Sequence, residues 1–476
     1  MRSARDSCGA VAVRCATTRG PAGRGAPRRV PTARARCPVT GLPRRRLFRA
    51  TPGRYRPGTL RLPPHRASTA VLAGAYPFLG TVPSDVGVPV GVDALTGSLY
   101  CFDPWALYAR DELTNPNVVL AGVIGQGKSA LAKSLALRSI AAGRRVYVPG
   151  DPKGEWAAVA EAVGGTVIRL GPGQPSRINP LDVSAAGDDG ARGRLLAACV
   201  GSSLRRDVSA RERGALDAAL KTAAAQAGCP TVADVVESLM TPDRTVARQD
   251  GIAVADRTLD GRDVAHALRR LVRGDLAGMF DGPSTARISP TCPMVVLDLS
   301  ALGTDDDALA IAMTCSAAWL ESTFEGSSAR RWVIYDEAWR LMRDVALVRR
   351  LQAHCKLSRA HGIANLLVLH RLTDLDAVGK RGSEARALAE GLLADCSTRI
   401  VYRQESDQLA ATQTALGLTR PERDLLPLLP RGTGLWRTPS RATVVHHVLH
   451  PVELDLIDTD RAMRDQPTGG DDRDAA

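Results

Sequence analysis

Residues 118–137 place a glycine-rich turn between an apolar run and a helical pattern, and this order restricts the fold more than any other feature of the chain. The apolar run has the length and composition of a buried strand, and leucines recur at helical spacing towards the end of the segment. Between them, Gly122, four further residues and then Gly127, Lys128 and Ser129 complete the P-loop pattern. The sequence therefore predicts a strand, a phosphate-binding turn and a helix in succession.

Each residue type in this turn suits the binding of a triphosphate such as ATP. Glycines allow backbone N–H groups to point inward around an anion, and the following helix presents the positive end of its dipole. Lys128 would neutralise the β and γ oxygens, and Ser129 would ligate Mg²⁺. The alternative interpretation is an ordinary glycine turn. The residues predicted to bind the nucleotide are Gly122, Gly125, Gln126, Gly127, Lys128, Ser129 and Ala130.

A P-loop also requires a carboxylate at the end of a nearby strand, and two apolar runs end in one. MVVLD ends at Asp298, and WVIYDE ends at Asp336 and Glu337. Only the second run supplies two acids in succession, so that Asp336 can bind Mg²⁺ through water while Glu337 orients and deprotonates the attacking water. We therefore predict Asp336 as the metal-side carboxylate and Glu337 as the catalytic base, and we interpret Asp298 as a strand-end cap or a partner of Ser300.

The net charge of +13 is concentrated at the N-terminus and does not by itself indicate a nucleic-acid-binding domain. Residues 1–70 contain 17 arginines and one acidic residue, whereas the remaining chain has 46 basic and 49 acidic residues. This stretch is rich in Arg, Pro, Gly and Ala and has little periodic apolar content, which predicts a disordered tail. The alternatives are a transit peptide or upstream sequence translated from a wrong start. DNA binding by the remaining chain would need a local basic patch.

Cysteine spacing and hydropathy favour a cytoplasmic location. The ten cysteines include no C-x-x-C pair, which argues against a zinc site and, with a nucleotide motif, favours a reducing compartment. No apolar stretch approaches the roughly 18 residues of a membrane-spanning helix. We therefore predict a cytoplasmic protein whose contact with the inner face of the membrane, if any, is peripheral.

Short apolar runs alternate with helical segments, which predicts an α/β fold with a mainly parallel sheet covered on both faces. A hairpin leading into the P-loop strand is predicted in GVPVGVDALTGSLYCFDPW. Residues 188–285 have helical spacing and are predicted to be an all-helical insertion. The insertion divides the α/β domain into halves at residues 71–187 and 286–456, and residues 457–476 are predicted to be a frayed acidic tail. The predicted strands are residues 118–120, 145–148, 167–170, 294–297, 332–335, 365–369 and 399–403.

An acid pair on a late strand, with further strands beyond it, resembles the ASCE class of RecA-like motor ATPases and, within it, the HerA/FtsK superfamily. The flanking segments are similar to the TraC/VirB-type ATPases of conjugative type IV secretion systems, in an actinobacterial form. The segments that carry this resemblance are DPWALYARDELTNPNVVLAGVIGQGKSAL, GDPKGEW, GGTVIRLGPGQPSRINPLD, RGDLAGMFDGP and WVIYDEAWRLM. The resemblance covers residues 70–460 and implies a RecA-like fold, hydrolysis of ATP with Mg²⁺, a hexameric homo-oligomer, and other secretion-system components and DNA as candidate partners.

The chain departs from this family in two places. The related ATPases commonly end the strand after the acid pair with a glutamine that senses the γ-phosphate, whereas LLVLHRLTDL has His370 there. A histidine can donate one hydrogen bond as a glutamine does, so His370 is a sensor candidate, with a core-capping histidine as the alternative. The large N-terminal domain of the family is replaced by the arginine-rich stretch, so docking to a secretion channel does not follow from the resemblance.

Motors of this class close their sites between subunits, and an arginine of the neighbouring subunit reaches the γ-phosphate. The resemblance therefore implies an arginine finger. Arg399 is our first candidate, and Arg359 and Arg403 are the alternatives. In a chain so rich in arginine, any of the three can instead be an ordinary surface residue.

The sequence thus predicts an ATP-hydrolysing motor of conjugative transfer that moves DNA, protein or pilus subunits. The closest alternatives are a DNA-translocating coupling protein and an FtsK-like DNA pump, although neither membrane helices nor room for a winged-helix module is evident. A third alternative, of another class, is an ATP-binding assembly scaffold with little turnover. The intact Glu337 argues against the scaffold.

Overall fold

The structure of the protein, a computed structural model, describes residues 86–182, 189–227, 229–286, 288–289, 291–323, 329–342, 345–370 and 384–457. All of these residues lie within the unit that spans Tyr55–Ala476. The tail predicted at residues 1–70 and the acidic tail after Ile457 lie outside the described residues.

The described strands form one mixed sheet. They are β1 (Val88–Asp93), β2 (Leu99–Phe102), β3 (Val118–Ala121), β4 (Arg145–Asp151), β5 (Thr166–Arg169), β6 (Met294–Asp298), β7 (Arg331–Tyr335), β8 (Ile363–Leu369), β9 (Thr398–Tyr402), β10 (Thr433–Arg437) and β11 (Ala442–His447). Their order in the sheet is β2-β1-β11-β10-β9-β3-β8-β7-β4-β6-β5. The strands from β9 to β5 pair in parallel, and those from β2 to β9 pair antiparallel.

Both faces of the parallel region are apolar. Alternate side chains of a strand point to opposite faces of a sheet, so a strand with apolar residues at successive positions has two apolar faces. In β3, Val119 and Ala121 belong to one buried cluster, whereas Val118 and Leu120 belong to another, and all four are fully buried. Such continuous burial is expected of parallel strands that carry helices on both sides. The predicted α/β fold with a mainly parallel, doubly covered sheet is therefore confirmed.

One strand separates the P-loop strand from the strand that ends at the acid pair. β3 pairs with β8, and β8 pairs with β7, all in parallel. The carboxyl ends of these strands meet at one edge of the sheet, which is where open α/β sheets bind ligands. The P-loop, the pair Asp336 and Glu337, and His370 all follow their strands at this edge. Asp298 ends β6, which is separated from β7 by β4.

The sequence predicts only part of the antiparallel region. The predicted hairpin is present as β1 and β2, with Val88 opposite Phe102. It does not lead directly into the P-loop strand within the sheet, because β11, β10 and β9 lie between β1 and β3. The pair β10 and β11, which places Thr433 opposite His446, is missing from the sequence prediction because both runs are short and mix apolar with polar residues.

Helices pack on the two faces of the sheet and occupy the connection between β5 and β6. Five described helices, from Asp189 to Arg273, lie where the all-helical insertion is predicted, and the domain boundaries themselves remain predictions. No described helix is both long and apolar enough to cross a bilayer. The helices are Pro104–Ala109, Lys128–Ala141, Ala157–Ala162, Asp189–Leu204, Ala210–Ala227, Val232–Met240, Arg244–Gln249, Val254–Arg273, Asp306–Thr323, Trp339–Met342, Val345–Leu357, Glu384–Ala394, Leu409–Leu416, Arg420–Leu425 and Pro451–Ile457, with 3₁₀ turns at Ser300–Leu302, Ser406–Gln408 and Leu426–Leu428.

Candidate active site

The turn after β3 needs its glycines for two different physical reasons. Gly125 and Gly127 have φ of +78° and +97°, a left-handed conformation that other residues rarely adopt. Gly127 directly precedes the helix Lys128–Ala141. Gly122 has ordinary backbone angles, but a Cβ there would lie 2.6 Å from the Cβ of Tyr402 on β9. The turn therefore combines a left-handed backbone at two glycines with a close approach to β9 that only the structure shows.

Lys128 is folded into the turn. Its Nζ donates a hydrogen bond of 2.9 Å to the backbone carbonyl of Val123, and the residue is 4 % exposed. Burial lowers the pKa of Lys128 to about 8, although the charges of Asp336 and Glu337 oppose this shift. The ammonium therefore lies within electrostatic reach of both predicted acids, and a phosphate could replace the carbonyl as its partner.

The remaining predicted nucleotide ligands lie on the same turn and on the first turn of the helix. The carbonyl of Gln126 accepts a hydrogen bond of 3.0 Å from the N–H of Gly432, which braces the turn against the start of β10. Ser129 and Ala130 are partly exposed at the start of the helix. Their position at a helix N-terminus suits an anion and a hydroxyl ligand for Mg²⁺.

Asp336 follows β7 and is held by a tryptophan. The indole Nε1 of Trp156 donates a hydrogen bond of 3.0 Å to Oδ2 of Asp336, which leaves Oδ1 for a water molecule or a metal ion. Burial raises the pKa of Asp336, and the neighbouring charge of Glu337 raises it further. A divalent cation would compensate this carboxylate, so the residue fits the metal-side role predicted for it.

Glu337 accepts hydrogen bonds through both of its carboxylate oxygens. Oε1 lies 2.5 Å from Nζ of Lys153 and 2.8 Å from Nε2 of His370, and Oε2 accepts a bond of 2.5 Å from the indole of Trp339. Burial would raise the pKa of Glu337, but the bonds from His370, Lys153 and Trp339 outweigh it and lower the pKa to about 2. The backbone of Glu337 has φ of +63°, which is uncommon for this residue type. The carboxylate is thus ionised and tightly held.

His370 lies where the sequence predicts a sensor, immediately after β8, and it contacts the predicted base. Because Glu337 is ionised, Nε2 of His370 is the donor in their hydrogen bond. Its Nδ1 is buried and has no partner among the described residues. The contact with Glu337 places His370 in the site, and its role as a γ-phosphate sensor stays a prediction.

The three candidate arginine fingers have different surroundings in the described chain. Arg399 is partly buried on β9, and its Nη1 donates a bond of 2.7 Å to the carbonyl of Leu416. Arg359 is exposed, and its nearest partner is the carbonyl of Thr114 at 3.4 Å. Arg403 is exposed just after β9. Arg399 thus has an intramolecular contact that a finger would have to give up, whereas the side chain of Arg403 has no such contact within the described part of the chain.

The site also contains residues whose role is not evident from the sequence alone. Lys153 and Trp156 belong to GDPKGEW, which begins at the last two residues of β4 and contacts both acids. The segment is folded around Asp151, whose Oδ2 accepts a bond of 2.7 Å from the N–H of Trp156 and whose pKa is raised by burial to about 6. The sequence offered one indication of a role for Lys153, because it is an isolated lysine in a strand-end loop of a chain with few lysines. Asp298 accepts a bond of 2.9 Å from the N–H of Ser300, which agrees with its interpretation as a strand-end cap or a partner of Ser300.

Comparisons with known proteins agree with this architecture. No protein-family model matches the chain, and no curated protein matches it. Among solved structures, VirB4 of Thermoanaerobacter pseudethanolicus matches with a TM-score of 0.64 and 22% identity, covering 78% of this chain and 99% of that one. The bacterial conjugative coupling protein TrwBΔN70 matches with a TM-score of 0.55 and 15% identity, covering 78% of this chain and 90% of that one.

TrwB has also been solved with nucleotides. In complex with the non-hydrolysable ATP analogue ADPNP it matches with a TM-score of 0.55 and 16% identity, and in complex with ADP and Mg²⁺ with 0.54 and 15%. Both alignments cover 81% of this chain and 93% of TrwB. The chain therefore has the RecA-like P-loop fold of VirB4 and TrwB.

Proposed function

We propose that this protein is an ATPase that uses the hydrolysis of MgATP to drive conjugative transfer or type IV secretion. One observation carries the proposal. The ionised carboxylate of Glu337 lies at the same edge of the sheet as the P-loop lysine, and a single strand, β8, separates its strand from the P-loop strand. A phosphate-binding turn and a catalytic carboxylate in this relation suit hydrolysis of a nucleoside triphosphate better than binding alone.

The chain's own groups account for nucleotide binding. Backbone N–H groups of the turn at residues 122–127 and the N-terminus of the following helix would bind the phosphates. Lys128 would exchange the carbonyl of Val123 for phosphate oxygens. Asp336, through water, and the hydroxyl of Ser129 would hold Mg²⁺, which when bound neutralises the charge on the phosphates.

The fold supports the choice of system. VirB4 is covered over 99% of its length with a TM-score of 0.64, and we carry over from this likeness a role in the same kind of secretion system. A second candidate is a DNA-translocating coupling protein, because TrwB is covered over 90% of its length with a TM-score of 0.55. We further propose that the protein forms a ring-shaped homo-oligomer in which Arg399, Arg359 or Arg403 of one subunit reaches the nucleotide of its neighbour. The ring would work in the cytoplasm or at the inner face of the membrane.

The experiment that tests the proposal is steady-state ATP hydrolysis by the wild type and by two variants. Glu337→Gln should keep MgATP bound but lower turnover about 10²-fold or more, because a positioned base is lost. Lys128→Ala should lose both nucleotide binding and turnover. Glu161→Gln, at an exposed glutamate on the helix Ala157–Ala162, is the matched control and should leave both unchanged. Wild-type turnover by Glu337→Gln would contradict the assignment of the base.

The same assay separates the two candidate functions. Turnover that rises when duplex or single-stranded DNA is added would favour the coupling protein, because a DNA motor couples hydrolysis to its track. Turnover indifferent to DNA would favour the secretion ATPase. Tight nucleotide binding with no hydrolysis in either condition would support the scaffold and reject the motor.

A further inference from the structure

Lys153 lies at the solvent side of the site, against the predicted base. Its Nζ is 2.5 Å from Oε1 of Glu337. The two side chains differ in exposure, since 51% of Lys153 is accessible and only 4% of Glu337. The charge of Lys153 also reaches the ammonium of Lys128, so that two cations border the place where phosphates would lie.

Three hydrogen bonds crowd the carboxylate of Glu337 and leave about one of its four acceptor positions for water. His370 and Lys153 share Oε1, and Trp339 occupies Oε2. Oε1 already accepts two hydrogen bonds, so the departure of one of its donors would open that oxygen to a water molecule. Trp339 is only two residues away on the same segment, and the side chain of His370 is 20% exposed directly after β8. Lys153, with a long flexible side chain that is half exposed, is the donor best able to move.

We propose that Lys153 is a nucleotide-responsive latch that holds Glu337 in the nucleotide-free protein and moves to the γ-phosphate of bound MgATP, which frees Glu337 for water. The inference rests on the proposed function. An ammonium group is a point charge that binds phosphate oxygens strongly, and a triphosphate carries more charge than a carboxylate. A diphosphate has no γ-phosphate, so in the MgADP complex Lys153 remains on Glu337.

The test compares the binding of two nucleotides by Lys153→Met. This variant keeps most of the length of the unbranched side chain and removes its charge. We expect the Kd for a non-hydrolysable MgATP analogue to rise about tenfold relative to that for MgADP, which itself changes by no more than about twofold. Lys153→Arg should restore most of the difference. Lys221→Met, at an exposed lysine on the helix Ala210–Ala227, is the matched control and should bind both nucleotides as the wild type does.

The outcomes are distinct. An unchanged ratio of the two Kd values in Lys153→Met would overturn the latch, while wild-type ATP hydrolysis would leave the proposed function standing. An equal loss of affinity for both nucleotides would also overturn it, because Lys153 would then shape the site without responding to the γ-phosphate. Wild-type protein that binds neither nucleotide would overturn the proposed function and the latch together.

Discussion

The hydrogen bond from Trp156 to Asp336 gives the most direct test of how the site is built. Both residues are buried, with exposures of 0% and 9%, and the bond from Nε1 to Oδ2 is 3.0 Å long. Trp156→Phe keeps an aromatic ring there and removes the N–H donor. A hydrogen bond to a charged group contributes about 1.5–3 kcal/mol, and the smaller ring leaves some unfilled volume, so we expect the free energy of unfolding to fall by about 3 kcal/mol.

A double-mutant cycle isolates the bond from the packing. Asp336→Asn keeps an acceptor oxygen but removes the charge, and a neutral bond contributes about 0.5–1.5 kcal/mol, against about 1.5–3 for a charged one. The cost of Trp156→Phe should therefore be about 1 kcal/mol smaller in the Asp336→Asn background. Independent sites are additive to within about 0.5 kcal/mol, so a coupling of this size is measurable.

The assay is urea unfolding of nucleotide-free protein, followed by circular dichroism at a pH well above the raised pKa of Asp336. The matched control is Trp332→Phe. Trp332 is 1% exposed and donates to the neutral hydroxyl of Ser139 at 3.1 Å, so its cost should not change in the Asp336→Asn background. Equal costs of Trp156→Phe in both backgrounds would refute the view that this indole stabilises the charged carboxylate.

Three further predictions rest on single contacts, and a fourth rests on the charge of the N-terminal residues. Gly122→Ala should destabilise the protein by about 1–3 kcal/mol in chemical unfolding, because the added methyl group overlaps Tyr402; unchanged stability would mean that β9 moves aside freely. His370→Gln should retain most ATP turnover through its amide donor, whereas His370→Ala should lose about tenfold or more, and equal rates would exclude a role for the donor. Arg399→Ala should lower stability by about 1–2 kcal/mol because it orphans a backbone carbonyl; lost turnover at full stability would instead identify a finger. Removal of residues 1–65 should flatten the salt dependence of binding to duplex DNA, and equal salt slopes would place the DNA contacts elsewhere in the chain.

The strand-turn-helix around Lys128 and the acid pair after β7 are local features, and the sequence therefore predicts them well. A left-handed backbone favours glycine, as at Gly125 and Gly127, so this conformation can be predicted from the composition of the turn itself. Continuous apolar runs likewise predict the parallel strands, because a strand covered on both faces carries apolar side chains at successive positions. The alternation of strands and helices was enough to predict the fold class.

Contacts between distant segments were decided only by the tertiary structure. The sequence predicts the hairpin β1–β2 but not its place at the far edge of the sheet, because strand pairing depends on partners that no local pattern specifies. For the same reason it assigns no role to Lys153 or Trp156, which lie about 180 residues before the acids they contact. Asp336 and Glu337 are thus predicted from the local sequence as the metal-side carboxylate and the base. Their environments differ: Asp336 is buried against an indole, and Glu337 is kept ionised by a lysine and a histidine. These environments arise because the carboxyl ends of the parallel strands β4, β7 and β8 lie side by side.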